Sequence, residues 1–327
     1  MNALTKMDHK VGFSRLRKIL GFWLIMLLLT PMAAPGCVLA VDGEMSLTDA
    51  VIFGIVEGVT EYLPISSTGH LLITRDLLGL GGPAQMDAAA DSRQAAMNAY
   101  LVCIQFGAIL AILVVCLHRF QKMVAGIVHR DPQGRRLIAH LALALLPAVA
   151  AGLVLEPVIK RYLFGPYPVI AGWLGGGLVI LAVCVYVRRR RIDWHRGRGI
   201  EEMDARTALL IGVAQCVAMW PGVSRSLSTI LGALAFGLRM EAAVEFSFLL
   251  GAVTLTAATG YDVVKYGGEM LTVLNPGAMV LGIVLAFVTA VAAVKWMIRY
   301  LNRYGLEVFG YYRIAIALAA LYFYVSP

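Results

Sequence analysis

The sequence predicts an all-α polytopic membrane protein made of two inverted-topology repeats, each carrying a re-entrant helical hairpin. About six full transmembrane helices and an N-terminal signal-like segment complete it. Three observations predict this class. Of 327 residues, 60% are hydrophobic and 15% charged, against about 45–50% and about 25% in an average soluble domain; mean hydropathy is +0.78. Apolar runs close to the ~20 residues that a helix needs to cross hydrocarbon recur along the chain. A polar block beginning at Val56 returns in altered form 158 positions later. Continuous runs, as opposed to residue-by-residue alternation, select helices over a barrel.

Residues 1–44 form the signal-like or anchor segment. Lys6, Lys10, Arg15, Arg17 and Lys18 precede an apolar core, Ile19 to Leu29, and a small-residue stretch ending Val38-Leu39-Ala40, the tripartite build of a secretory signal. Its cleavage is left open; the basic end stays inside and the chain after residue 40 starts outside. Residues 45–327 form one membrane domain, with repeat one at about 45–187, a cytoplasmic basic loop at 188–206 and repeat two at about 205–327. The expected spans follow the apolar runs Ala99–Leu117, Leu137–Leu155, Val169–Val187, Ala242–Thr259, Ala278–Met297 and Ile314–Val325, the last being short.

The net charge of +8 reports topology, because the cations gather in particular loops. Arg188–Arg191 with Arg196, Arg198 and Arg206 make the strongest cluster, and Arg119, Lys122, Arg130, Arg135 and Arg136 the next. Both loops are therefore expected in the cytoplasm, as is the turn carrying Lys295, Arg299 and Arg303. Segments 156–166 and 261–276 are expected outside. No nucleic-acid partner is implied. The five cysteines sit singly within apolar segments, without CxxC, and read as small core residues, not as a disulfide or zinc framework.

The repeat is found by laying "IFGIVEGVTEYLPISST" over "LIGVAQCVAMWPGVSRS". Gly54 falls on Gly212, Glu57 on Gln215, Ser66 on Ser224, Ser67 on Arg225 and Thr68 on Ser226, with Pro64 and Pro221 one place out of register. Each apolar lead-in, Leu47–Leu63 and Thr207–Trp220, is too short or too polar for a span and ends at proline. Copy one starts outside and copy two inside, so hairpins that return to their own side are inverted copies. Broken helices in inverted repeats, meeting near the midplane, assemble buried polar sites.

The two tips carry the chemistry. Glu57 and Glu61 share one helix face a turn apart. Two ionised carboxylates that close repel, so one takes a proton or a cation sits between them. A hard divalent ion, Mg2+ or Ca2+, satisfies both; the alternative is that one caps a helix while the other is solvated. In "PISSTGH", Pro64 ends the helix, Gly69 permits a tight turn, and Ser66, Ser67 and Thr68 offer hydroxyls beside freed amides. His70 lies close enough to activate Ser67 or to act itself, and helix capping is the bland alternative. In "PGVSRS", Arg225 is the single charge between Arg206 and Arg239. A guanidinium in hydrocarbon needs an anion, either the Glu57/Glu61 pair or a substrate phosphate; a purely structural salt bridge is the alternative. Ser224, Ser226 and Thr229 complete a nest of donors for phosphate. Glu245 in "VEFSFLL" reads as a partner of Arg239 or as part of the same cavity.

At these residues the sequence resembles the undecaprenyl-diphosphatase family of bacterial membrane enzymes, also linked to bacitracin resistance. The carriers are "EGVTEYLPISSTGHL", "IQFGAILAIL", "LLPAVAAGLVLE", "IGVAQCVAMWPGVSRS" and "EFSFLL", spread over about residues 46–326. The resemblance implies two inverted repeats with re-entrant hairpins and hydrolysis of undecaprenyl diphosphate to the monophosphate, recycling the lipid carrier of cell-wall precursors. It implies Glu57 and Glu61 as the acidic motif, with Ser67, His70 and Arg225 as catalytic partners and Mg2+ or Ca2+ as cofactor. It also implies the bacterial inner membrane and a site opening to the periplasm. The chain departs from the family at Leu227, where glycine is usual, at Val253, where proline is usual, and in its long basic N-terminus. The expected partners are the polyprenyl diphosphate substrate and membrane lipids, and a homodimer is left open. The rival readings are a transporter or flippase of a phosphorylated lipid or small anion, which needs binding groups but no nucleophile, and a phosphatase of a different membrane lipid.

Overall fold

The computed structural model describes residues 46–80, 88–163, 165–273 and 276–325. The signal-like segment and Cys37 lie outside the described residues. Apart from one isolated bridge between Arg198 and Leu238, the described residues are helices and connecting turns. In chain order the helices are α1 (Leu47–Thr60), α2 (Ser67–Leu77), α3 (Ala88–Val115), α4 (Leu117–Val128), α5 (Pro132–Tyr162) and α6 (Pro166–Arg190). They continue with α7 (Ala205–Cys216), α8 (Arg225–Ala235), α9 (Met240–Val273), α10 (Pro276–Tyr304) and α11 (Glu307–Val325).

Among the described residues, five stretches are long and apolar enough to cross a membrane: Pro132–Leu155, Pro166–Arg190, Met240–Val264, Gly277–Tyr304 and Glu307–Val325. The protein is therefore a multi-pass membrane protein. The run Ala99–Leu117, expected as an unbroken span, breaks at Cys116, where φ −102° and ψ 25° leave the helical region. There α3 and α4 bend by 82°, and the pair makes a sixth span only if counted together.

Helices α1 and α7 are too short to cross. The 14 residues of α1 rise roughly 21 Å against ~30 Å of hydrocarbon. Side chains satisfy their first amides: Ser46 and Asp49 form a capping box, with Asp49 N to Ser46 Oγ at 3.1 Å, and Asp204 caps α7 through Thr207 N at 2.7 Å. These caps are 158 positions apart, and the same offset relates further local features. Ser66 and Ser224 both take positive φ, 71° and 78°, and the glycines that follow each second helix, Gly79 and Gly237, have φ 70° and 89°. Helices α2 and α8 are 11 residues each.

Packing relies on close backbone approach, because between membrane helices lipid removes the hydrophobic drive. Helix α1 lies along α10 and α7 along α5, while α3 meets α9 and α10, and α6 meets α11. At the α1–α10 crossing Gly54 and Gly58 form a small-xxx-small pair; a Cβ on Gly54 would stand 2.6 Å from Gly282 O. Beside that crossing Phe53, Tyr100 and Ile104 are fully buried, and Trp173 sits among Val169, Ala317 and Ala320 between α6 and α11.

The structure corrects the reading of Glu245. Its carboxylate takes both Nε and Nη2 of Arg119 at 2.8 Å, with His118 Nε2 at 3.2 Å. Arg239 instead faces Glu241 at 3.7 Å. The bend after α3 swings Arg119 back onto α9, a juxtaposition that sequence distance conceals. Cys103, Cys116, Cys184 and Cys216 are free thiols; Cys116 is buried, as its reading as a core residue expects, whereas the other three are half-buried.

Candidate active site

The site forms where the α1–α2 and α7–α8 tips meet. Glu61, one residue past α1, accepts Arg225 Nη2 at 2.9 Å on Oε1 and the Ser67 hydroxyl on Oε2. Thus Ser67 and Arg225, the first residues of α2 and α8, are joined through one carboxylate. Both side chains of the ion pair are largely buried, 13% exposed for Arg225 and 8% for Glu61. Arg225 also reaches Ser247 O at 3.3 Å, and its guanidinium lies 5.7 Å above the Tyr62 ring. Two helix N-termini converge with it, and such ends favour anions.

The first tip is non-helical yet buried, so its carbonyls need partners. Four in a row receive side-chain donors. Leu63 O accepts Ser226 Oγ at 2.9 Å, Pro64 O accepts Arg313 Nη1 at 3.1 Å, and Ile65 O accepts Trp173 Nε1 at 2.7 Å. Ser66 O lies 2.7 Å from His70 Nδ1. These donors come from α8, α11, α6 and α2, and they hold Ser66 in a conformation that a non-glycine residue rarely adopts.

His70 therefore sits differently from the reading that paired it with Ser67. A carbonyl only accepts, so Nδ1 carries the proton given to Ser66 O. Nε2 faces the Tyr312 hydroxyl at 2.7 Å. The Ser67 hydroxyl turns to Glu61 instead, because the backbone step at Ser66 aims the first turn of α2 at the carboxylate.

Among the expected phosphate ligands, Ser226 and Thr229 are fully buried and turned to protein. Thr229 Oγ1 meets Ser247 Oγ at 2.6 Å and donates to Arg225 O at 2.9 Å. Ser224 Oγ accepts Leu227 N at 3.3 Å and lies 3.1 Å from Ser226 Oγ. Ser66 is buried and Thr68 exposed. In this arrangement Ser224, Ser226 and Thr229 brace the second tip, and Leu227, one of the two departures, is buried behind it.

Sequence reasoning missed Arg313. It is fully buried and, among the described residues, donates only to carbonyls: Gly222 O at 2.7 Å, Gly172 O at 2.8 Å, Pro64 O at 3.1 Å and Trp173 O at 3.3 Å. It ties both tips to α6. Its signal was a lone cation just ahead of the last apolar run, which reads as a membrane flank.

The sequence profile of the family described as Bacitracin resistance protein BacA matches residues 50–319. The chain belongs to the BacA family. Its BacA relatives include the Undecaprenyl-diphosphatase of Sorangium cellulosum, 44% identical over 277 residues, covering 84% of this chain and 85% of that protein. The Undecaprenyl-diphosphatase 2 of Rhodospirillum rubrum is 44% identical over 275 residues, 84% of this chain and 94% of its own. That of Methylibium petroleiphilum is 40% identical over 279 residues, 82% and 92%. Every residue of the site described above lies within the matched BacA span.

A divalent ion can be tested against the donors present. Both carboxylate oxygens of Glu57 are buried without a hydrogen-bond partner among the described residues, and an orphaned buried carboxylate calls for a cation or a proton. Among the described residues no three His, Cys, Asp or Glu side chains come together, so there is no all-protein cage. Mg2+ ordinarily takes one or two carboxylates plus substrate phosphate oxygens and water. Glu57 and Glu61 fit that mode.

Proposed function

We propose that this chain hydrolyses undecaprenyl diphosphate to undecaprenyl phosphate and inorganic phosphate, recycling the lipid carrier of cell-wall precursors in the bacterial inner membrane. Membership of the BacA family and the activity named for its relatives support the substrate. The observation that carries the chemistry is the Ser67–Glu61–Arg225 chain of hydrogen bonds, which puts a hydroxyl, its base and a cation at one point. A carrier has no use for the first two together, which is why the hydrolase reading prevails over a transporter or flippase.

Ser67 Oγ attacks the terminal phosphorus and passes its proton to Glu61. The bond to the bridging oxygen breaks, and that oxygen leaves on undecaprenyl phosphate. Water then releases phosphate from the serine. Arg225 has five N–H donors, of which two are engaged among the described residues, by Glu61 and Ser247; the rest meet the phosphoryl oxygens together with the α2 and α8 N-termini. His70 acts as a positioning residue, fixing Ser66 and thereby the direction of Ser67. Glu57 and Glu61 would hold Mg2+ or Ca2+, which would supply charge neutralisation to the diphosphate.

The two halves are inverted repeats whose α1–α2 and α7–α8 hairpins are re-entrant, and the site opens to the periplasm. The shared caps and backbone steps 158 residues apart support this, as does the exchange of partners in which α1 packs on α10 while α7 packs on α5.

The test is phosphate release from undecaprenyl diphosphate by the purified full chain in detergent. Phosphate should appear, and it should stop with a chelator and in Ser67→Ala. Absence of release, with uptake of a phosphorylated lipid or anion into sealed vesicles bearing the chain, would establish the carrier instead.

A further inference from the structure

We propose that α4 and the first turns of α5 form a seat for the phosphate of an anionic phospholipid, held between Arg130 and Arg135. This surface is independent of the hydrolytic site.

Helix α4 differs from the spans. It leaves α3 at 82°, so where α3 runs through the bilayer α4 runs along it. Leu117, Phe120, Val124, Ile127 and Val128 recur at helical spacing on one stripe, and Leu117, Val124 and Ile127 are 53%, 58% and 73% exposed. Arg119 and Lys122 occupy another side. One apolar stripe with cations beside it is the pattern of a helix lying in the membrane interface, apolar face down.

The crossing with α5 then builds a receptor at the C-terminal end of this stripe. A Cβ on Gly126 would stand 2.6 Å from Arg135 N and 3.0 Å from Gly134 Cα, so α4 rests directly on the start of α5. An open cleft of about 540 Å3 lies there, lined by Ile127, Arg130, Arg135, Ile138 and Ala139 with Gly126. Both arginines are exposed, and neither guanidinium has a partner among the described residues. The neighbouring acid, Asp131, is occupied as the α5 N-cap, its Oδ2 accepting Gly134 N at 2.7 Å. Two free guanidinium groups with apolar side chains between them match a ligand whose anion carries acyl chains. The phosphodiester meets the arginines and the chains follow Ile127 onto the α4 stripe. A soluble phosphate would leave that stripe uncovered, which is why the ligand is assigned to the lipid.

The experiment uses the full chain in phosphatidylcholine vesicles with a photoactivatable phosphatidylglycerol, the crosslinks being mapped by peptide mass spectrometry. Labelling should concentrate in residues 117–139 and fall to excess unlabelled phosphatidylglycerol, but not to excess phosphatidylcholine or inorganic phosphate. In Arg130→Gln/Arg135→Gln the competing phosphatidylglycerol should bind about fivefold more weakly per arginine removed, roughly 30-fold in all. Arg189→Gln/Arg190→Gln, which loses the same charge elsewhere, should label as the parent does. Equal labelling of the parent and the Arg130/Arg135 variant, an equal loss in the Arg189/Arg190 variant, or displacement by inorganic phosphate would each overturn the proposal.

Discussion

At Ser66 and at Ser224 the backbone makes the same left-handed step and launches a helix of the same length, yet the two tips carry unlike side chains. Where the first has Glu57, Glu61, Ser67 and His70, the second has Gln215, Met219, Arg225 and Ser228. Two identical tips would bring like charges together, and buried like charges repel with little screening. The difference teaches how a repeated scaffold makes a heterogeneous site: acid and hydroxyl come from one copy, the guanidinium from the other, and they meet at 2.9 Å. The support is divided as well, since Ser226 of the second tip braces Leu63 of the first, and Arg313 holds both.

The charges that distinguish the tips should matter most. Glu61→Gln removes the carboxylate that accepts the Ser67 hydroxyl and should lower the rate of phosphate release by ~10²–10⁴-fold. Arg225→Lys keeps the charge and loses the planar fork, and should cost ~10²–10³-fold in the same assay. Arg313→Met should act on folding more than on chemistry: it strands buried carbonyls of both tips, for a loss of roughly 3 kcal/mol or more, read as a fall in the detergent-solubilised melting temperature. The mildest change tests a cap. The Thr207 amide and hydroxyl hold the Asp204 carboxyl down to about 2 from 3.8. A depressed carboxyl stabilises the folded state above its unfolded value and loses that contribution as pH falls through the folded one. The parent should therefore melt slightly above Asp204→Asn at neutral pH, with the gap closing between pH 4 and 2.

Much of this is legible in the sequence. Intramembrane acids and a lone arginine are costly enough that their pairing could be anticipated, and Glu61 with Arg225 bears that out. Phase along a helix is local, so the 158-residue offset located both tips. Longer-range partners were not legible. Arg119 meets Glu245 across 126 positions only because the chain bends at Cys116. The spacing of Ser67 and His70 suggested a pair, but the φ of Ser66 redirects one to Glu61 and the other to a carbonyl and Tyr312. Arg313 has no acid partner among the described residues, and recognition by carbonyls leaves no charge pattern in a sequence.

Glu61 and Arg225, from opposite tips, should work as one unit. A double-mutant cycle on phosphate release tests it most directly, with Glu61→Gln, Arg225→Lys and their combination assayed on undecaprenyl diphosphate. The double variant should release phosphate at about the rate of the slower single variant. Losses that simply multiply would show two residues acting independently and would rule such a unit out.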